Sequence, residues 1–469
     1  MDRLVDEGTF VEAGDDLSSS DPLEFPGYAD ALAAARERSG TDESVRAGSA
    51  AIGGRAVELA AFQFGFIGGS MGEVAGERLA RALERAADRR VPFVLYTATG
   101  GARMQEGMRS LIQMAKVIVA RGALTDAGQP LIAVFGNPTT GGVLASIGAL
   151  ADITVVEDGA TIGFAGPRLV QQFTGRPLGP GSHTASGAFQ HGLVDHVLPP
   201  AEIRDFLGGV LELLAPDEPA AIESPSQTPV GHIDAWDAVT AARASDRPRG
   251  PELVRAVTDR YVTLHGDRAG GEDPGVFAAL VRVAGRRALM IALDREHAPG
   301  PAAYRKARRC VAIAERLGLS IVTLVDTPGA NPSEGSEARG VAWEIGRLFE
   351  AILNARCPVL SVVTGEGGSG GALALAVGDR LLSYEDAIFS VIAPESAAEI
   401  LWRNGERAPD AARDLRVTAG DLKRLGVADE VIPAPLTPDS LRRALAYHLG
   451  RLDGAGPTAR KRRWRGHGD

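Results

Sequence analysis

Two stretches of this chain repeat each other, and that repeat constrains the fold more than any other feature. Residues 91–107 (VPFVLYTATGGARMQEG) and 129–167 (QPLIAVFGNPTTGGVLASIGALADITVVEDGATIGFAGP) are answered by 319–335 (LSIVTLVDTPGANPSEG) and 357–395 (CPVLSVVTGEGGSGGALALAVGDRLLSYEDAIFSVIAPE). Ala102 aligns with Ala330, Gly142 with Gly371 and Pro167 with Pro394, three anchors with nearly the same offset. Spacing this constant marks two copies of one structural unit. In each copy an apolar run (93–96; 321–325) ends in a small-residue turn, and a helical stretch follows. A second run (131–135; 359–363) ends in a Gly-Gly turn that opens an Ala-rich helix (143–150; 372–377), and a third strand (153–156; 380–383) comes next. Short buried strands alternating with helices predict parallel βαβ units and an α/β fold.

A chain of 469 residues is too long for one core. The segment 215–249 opens with four prolines before Val230, interspersed with Ser, Thr and Glu, and reads as a linker. The expected organisation is a flexible N-terminus (1–20), a first domain (21–214), the linker, a second domain (250–455) and a basic tail (456–469). The tail's ARKRRWR run reads first as a solvated terminus and second as a docking segment for an acidic partner. A net charge of −10 disfavours nucleic acid and anionic membranes as general partners. Cys310 and Cys357 are the two cysteines, too few for a four-thiolate zinc site or a disulfide scaffold. The histidines form no metal-binding spacing, so no metal is expected. The acidic, apolar-poor start is no signal peptide and no long apolar run spans a bilayer, so the expected location is the cytoplasm.

The glycine turns carry the chemistry. Glycine accepts positive φ and lets a ligand approach the backbone, while the helix start beyond it offers N–H groups for a developing oxyanion. Candidates are Gly100–Gly101 and Gly141–Gly142 in the first half and Gly370–Gly371 in the second; such turns also occur for close packing alone. Two rival motifs overlap the second-half turn: G-x-G-x-x-G over Gly365–Gly370, a dinucleotide fingerprint, and G-x-S-x-G over Gly367–Gly371, a nucleophile elbow. The first lacks a counterpart in the other repeat. The second would need a downstream histidine, and those are His448 and His467, near the C-terminal end.

DPLEF (21–25), FQFGFIGGSMGEVAGER (62–78), TGGARMQEG (99–107), PTTGGVLAS (138–146) and TIGFAGPR (161–168) resemble the β subunit of the bacterial acetyl-CoA carboxylase carboxyltransferase. AYRKARR (303–309), DTPGANPSEGSEARG (326–340), GEGGSGGALALAVGD (365–379) and SVIAPESAAEILWR (390–403) resemble its α subunit. The resemblance runs from 21 to about 435 in β-then-α order. It implies two tandem crotonase-like domains of the ClpP/crotonase superfamily. It implies a homodimer whose active sites form between the N-half of one subunit and the C-half of the other. The implied reaction moves a carboxyl group from carboxybiotin to the α-carbon of an acyl-CoA, first of all acetyl-CoA. Gly100–Gly101 would hold the thioester oxygen, with Gly142, Phe164, Ala165 and Gly166 on the same side. Gly370–Gly371 with Ala372 would hold the ureido oxygen of biotin. Arg103, Arg305 and Lys306 are candidates for CoA phosphates. The sequence has no M-K-M biotinylation site and no ATP-dependent carboxylase domain, so biotin carboxylase and biotin carboxyl carrier protein are expected as separate chains. Two departures stand out: the β subunit's usual four-cysteine zinc ribbon has no counterpart here, and 294–303 is shorter than the family's basic segment. A malonyl- or methylmalonyl-thioester decarboxylase and a carboxylase of an unusual thioester are the alternatives.

Overall fold

Each copy of the repeat builds an eight-stranded sheet in the computed structural model, which describes residues 3–14, 16–218, 231–452 and 455–466. The first sheet comprises β1 (Val11–Glu12), β2 (Val45–Ile52), β3 (Arg55–Phe62), β4 (Phe93–Thr99), β5 (Leu131–Thr140), β6 (Ile153–Glu157), β7 (Ile162–Gly163) and β8 (His196–Leu198). Its order is β1-β2-β3-β4-β5-β6-β8, with β7 beside the end of β5. The second comprises β9 (Arg260–Thr263), β10 (Val276–Val283), β11 (Arg286–Leu293), β12 (Ser320–Thr327), β13 (Val359–Gly368), β14 (Arg380–Tyr384), β15 (Ile388–Ser390) and β16 (Glu430–Ile432). Its order is β9-β10-β11-β12-β13-β14-β16, with β15 beside β13.

The pairing register shows how closely the copies agree. Phe93 pairs with Leu131 and Thr99 with Thr139; at the matching places of the second copy, Ile321 pairs with Val359 and Thr327 with Gly367. Both ladders are irregular just before their last pair, between Thr97 and Thr99 and between Val325 and Thr327. The parallel strands β4 and β12 are almost wholly buried, as strands covered on both faces must be. Each sheet opens with an antiparallel hairpin, β2–β3 and β10–β11, turned by two residues of positive φ: Gly53–Gly54 and Ala284–Gly285. Positive φ at both central residues matches the strand twist of a tight hairpin.

The helix Glu73–Arg89 buries Ala75, Leu79, Ala82, Leu83 and Ala86, a stripe at helical spacing whose small members bring it close to the sheet. Its counterpart Pro301–Leu317 has the same length and buries Ala303, Ala307, Cys310 and Ala314.

The chain divides into two compact units, residues 1–212 and 213–469, and both expected boundaries move. The segment expected to be a flexible N-terminus belongs to the first unit. Leu4 and Val5 are buried, β1 joins the sheet, and the Asp6 carboxylate accepts from the Gly53 and Gly54 N–H groups at 3.0 and 2.7 Å. The expected linker 215–249 belongs largely to the second unit, and its stretch 219–230 lies outside the described residues. Its helix Ala235–Ala242 packs Ala238 and Val239 against Ile388 and Val417. Arg247 is buried and donates to the Thr364 carbonyl at 2.6 Å.

The basic tail is also corrected. Pro457–Arg465 is a helix, and Arg460 within it is fully buried. Arg460 donates to the Asp379 carboxylate at 2.5 Å and to the carbonyls of Ala355 and Cys357, each at 2.8 Å. A guanidinium with every face hydrogen-bonded can sit where an unpaired one would be expelled. No helix among the described residues is long and apolar enough to cross a membrane.

Candidate active site: paired glycine turns

In the first unit the ends of β4 and β5 bring the two predicted turns together. Gly101 has φ +110° and Gly141 has φ +67°. A Cβ on Gly101 would lie 3.0 Å from Gly141 Cα and 3.1 Å from Gly142 N. The two turns thus pack backbone against backbone, which is why both positions are glycine. Phe164, at the end of β7, accepts the Gly141 N–H on its carbonyl at 2.8 Å, and the Ala165 carbonyl lies 3.0 Å from His183 Nε2. Gly166 starts the helix Pro167–Thr174. Phe164 therefore borders the second turn, and Ala165 and Gly166 follow it in the chain.

The hydrogen bonds shift the predicted donors. The Gly100 N–H donates to the Gly68 carbonyl at 2.9 Å, and the Gly101 N–H to Thr99 Oγ1 at 2.9 Å. Both glycines shape the turn and neither is a free donor. The next N–H, that of Ala102, has no acceptor among the described residues. The second unit repeats this. Gly329, with φ +144°, donates to Thr327 Oγ1 at 3.3 Å, Asn331 donates to the Pro299 carbonyl at 2.9 Å, and the Ala330 N–H between them has no acceptor among the described residues. Ala102 and Ala330 were legible as matched positions in the repeat; nothing in an alanine marks its backbone as a donor.

The second turn of the second unit is also realigned. The helices Gly141–Ala145 and Ser369–Leu373 begin at matching places, and Ser369 takes φ +58°, like Gly141. Gly142 thus corresponds to Gly370, and Gly371 to Val143. A Cβ on Gly370 would meet no atom within 4 Å, whereas one on Gly371 would lie 2.6 Å from Tyr304 Oη and 2.8 Å from Ala330 N. Gly370 borders open space and Gly371 faces the first turn. Ala372 is fully buried, so its side chain supports the turn from behind.

Two of the three candidate phosphate ligands, Arg103 and Lys306, lie buried in ion pairs. Arg103 is fully buried in the first unit, ion-paired with both oxygens of Glu43 and with Glu106 at 3.1 Å, and it donates to the Ser70 carbonyl at 2.7 Å. Burial pushes Glu43 up, but the Arg103 hydrogen bonds and charge outweigh it and hold the carboxyl below its ordinary range. Lys306 is buried against Glu272 and the Asp273 carbonyl, and Arg305 is paired with Asp267 at 2.7 Å. Arg103 and Lys306 are thus buried and engaged inside the fold, while Arg305 is half-buried and spends its Nε and Nη2 on Asp267.

Sequence reasoning passed over Asp326, the residue before Thr327. It is buried, accepts the Glu366 N–H at 3.0 Å, and lies 3.5 Å from Arg295. A Cβ on Gly365 would collide with its carboxylate. Burial pushes Asp326 up to about 6, with the Glu366 N–H and the charges of Arg295 and Arg247 pulling the other way. A carboxyl raised in the fold binds its proton more tightly there than in the unfolded chain, so its contribution to stability falls as pH rises through about 6. Wild type is therefore expected to gain stability relative to Asp326→Asn as pH falls from about 7 to about 5. Unfolding at several pH values measures this, and a flat or opposite trend contradicts it.

The family described as acetyl co-enzyme A carboxylase carboxyltransferase-like matches residues 220–447. The chain is 43% identical over 459 residues to the acetyl-coenzyme A carboxylase carboxyl transferase subunits beta/alpha of Salinispora tropica, covering 92% of this chain and 81% of that protein. It is 35% identical over 456 residues to a probable biotin-dependent acyl-coenzyme A carboxylase beta3 subunit of Mycobacterium bovis, covering 95% and 90%. Among solved structures, the transcarboxylase 12S hexamer with methylmalonyl-coenzyme A and methylmalonic acid bound matches with a TM-score of 0.78 at 23% identity, over 97% of this chain and 89% of that one. That likeness is one of fold: two tandem crotonase-like domains. The relatives decide the rest, and the chain belongs to the acetyl-CoA carboxylase carboxyltransferase family of biotin-dependent transferases.

Proposed function

We propose that this chain transfers a carboxyl group from carboxybiotin, presented by a separate carrier protein, to the α-carbon of acetyl-CoA, giving malonyl-CoA. The observation that carries the reading is the matched pair of turns, each with an alanine N–H that has no acceptor among the described residues and each packed against a second glycine turn. In the first unit Ala102 N–H, backed by the turn at Gly142, stabilises the thioester oxygen as the α-carbon loses its proton and charge moves onto that oxygen. Phe164, Ala165 and Gly166 border the acyl group. In the second unit Ala330 N–H and the turn Gly370–Gly371 hold the ureido oxygen. These residues fit the group: Gly370 leaves its face open, and donors converge beside Gly371. Biotin, when bound, supplies the carboxyl group and a basic ureido nitrogen. The protein's own part is to place fixed dipoles where charge develops, and such dipoles lower the barrier because they bind the transition state better than the ground state.

A homodimer is the assembly that fits, with the first unit of one subunit facing the second unit of the other. Exposed apolar side chains on both units support it: Met104, Val119 and Phe173 in the first, Trp343, Val391 and Ile400 in the second. Biotin carboxylase and biotin carboxyl carrier protein complete the cycle, in the cytoplasm. The names of the curated relatives favour acetyl-CoA, while the methylmalonyl-CoA bound to transcarboxylase 12S favours propionyl-CoA as the second choice. Reconstitution with those two partners, ATP and bicarbonate tests the reading. Acetyl-CoA is expected to exceed propionyl-CoA in kcat/KM by about tenfold, the value of one methylene in a fitted pocket. Preference for propionyl-CoA would reassign the substrate, and thioester decarboxylation without biotin would replace the reaction.

A further inference from the structure

Tyr304 stands out among the groups the proposed reaction leaves unused. Its ring is fully buried, and its hydroxyl has no hydrogen-bond partner among the described residues. A buried hydroxyl left unpaired costs stability, so such a group calls for a reason. Its position suggests one. Tyr304 Oη and Ala330 N lie 2.6 and 2.8 Å from the point a Cβ on Gly371 would occupy. Two donors with no acceptor among the described residues thus pack against the backbone of Gly371, where only a glycine leaves them room. Burial, with the nearby Asp273 charge, pushes the phenol above its ordinary range, so at neutral pH it keeps its proton and can donate it.

The repeat shows that this feature is peculiar to the second unit. Gly76 holds the matching place in the first unit, and the space a side chain there would use is filled by Gln113. Residue 143, the counterpart of Gly371, is valine. Packing of the shared fold therefore does not require a tyrosine beside this turn.

We propose that the Tyr304 hydroxyl is a side-chain donor of the second unit's turn, acting with the Ala330 N–H on the oxygen held there. The inference rests on the reading of that turn as the ureido-oxygen site. A donor that acts on developing charge lowers kcat more than it raises KM when removed.

Tyr304→Phe keeps the ring and deletes the hydroxyl. With the full-length chain, malonyl-CoA and biocytin, kcat for biocytin carboxylation is expected to fall about 10²-fold, with the KM for biocytin changing less than about threefold. Without ligands the variant is expected to melt at or above the wild-type temperature, since an unpaired buried hydroxyl has been removed. A kcat within twofold of wild type overturns the proposal. So does a lower melting temperature, which would reveal a structural partner for the hydroxyl. If wild type carboxylates no biocytin, the functional reading fails, and Tyr304 is judged by binding. A biocytin-induced rise in melting temperature in wild type and not in the variant would still support the donor; equal shifts, or none, would reject it.

Discussion

Gly101→Val is expected to lower carboxyltransferase kcat/KM by at least about 10²- to 10³-fold, the cost of losing one oxyanion donor. The residue sits at φ +110°, where a β-branched side chain is strained, at a cost of about 1–3 kcal/mol. The greater damage is geometric. The new Cβ would stand 3.0 Å from Gly141 Cα and 3.1 Å from Gly142 N, and two methyl groups lie beyond it. Neither neighbour is a side chain that can swing aside, so the two turns must separate. The Ala102 N–H lies one residue on and moves with the turn. A steady-state assay beside a circular dichroism spectrum checks this. Activity within tenfold of wild type in a folded variant would show that the turns can part without loss.

Arg103→Ala is expected to destabilise the first unit by about 3–5 kcal/mol, the usual cost of breaking a buried ion pair from one side. The substitution strands Glu43, which is fully buried, and Glu106, which is nearly so. It also removes the donor to the Ser70 carbonyl and to the Glu43 carboxylate that Ser19 shares. Lysine is a poor substitute, because its single ammonium cannot bridge Glu43 and Glu106 while still reaching the carbonyl. Hydrogen exchange of β4 and β5 amides reads the loss in this unit alone, which suits a chain of two units better than one global transition. A loss below about 1 kcal/mol would mean that the cluster is dispensable.

The repeat made the paired sheets legible, because parallel strands buried on both faces write themselves as apolar runs. The positions of the turns followed from the same pattern, and Gly101 and Gly141 meet there at a distance that leaves no room for side chains. Three kinds of feature stayed hidden. Segments held by polar contacts look mobile to composition: the start of the chain is anchored through Asp6 and β1, and the basic tail through Arg460. Buried charges look solvated until their partners are known, and Glu43 is far from Arg103 in sequence. Backbone donors carry no residue signature. Ala102 and Ala330 were noticed as landmarks, yet which N–H is spent on a threonine hydroxyl is decided only in three dimensions. In the run GEGGSGG the sequence aligned Gly142 with Gly371, and strand register moves its counterpart to Gly370.

The most direct test of the central claim is malonyl-CoA-dependent carboxylation of biocytin by the purified chain, with Gly101→Val alongside. The account predicts carboxybiocytin and acetyl-CoA in equal amounts from wild type, and a loss of at least about 10²-fold in the variant. Release of acetyl-CoA at the same rate without biocytin would contradict it and make the chain a decarboxylase.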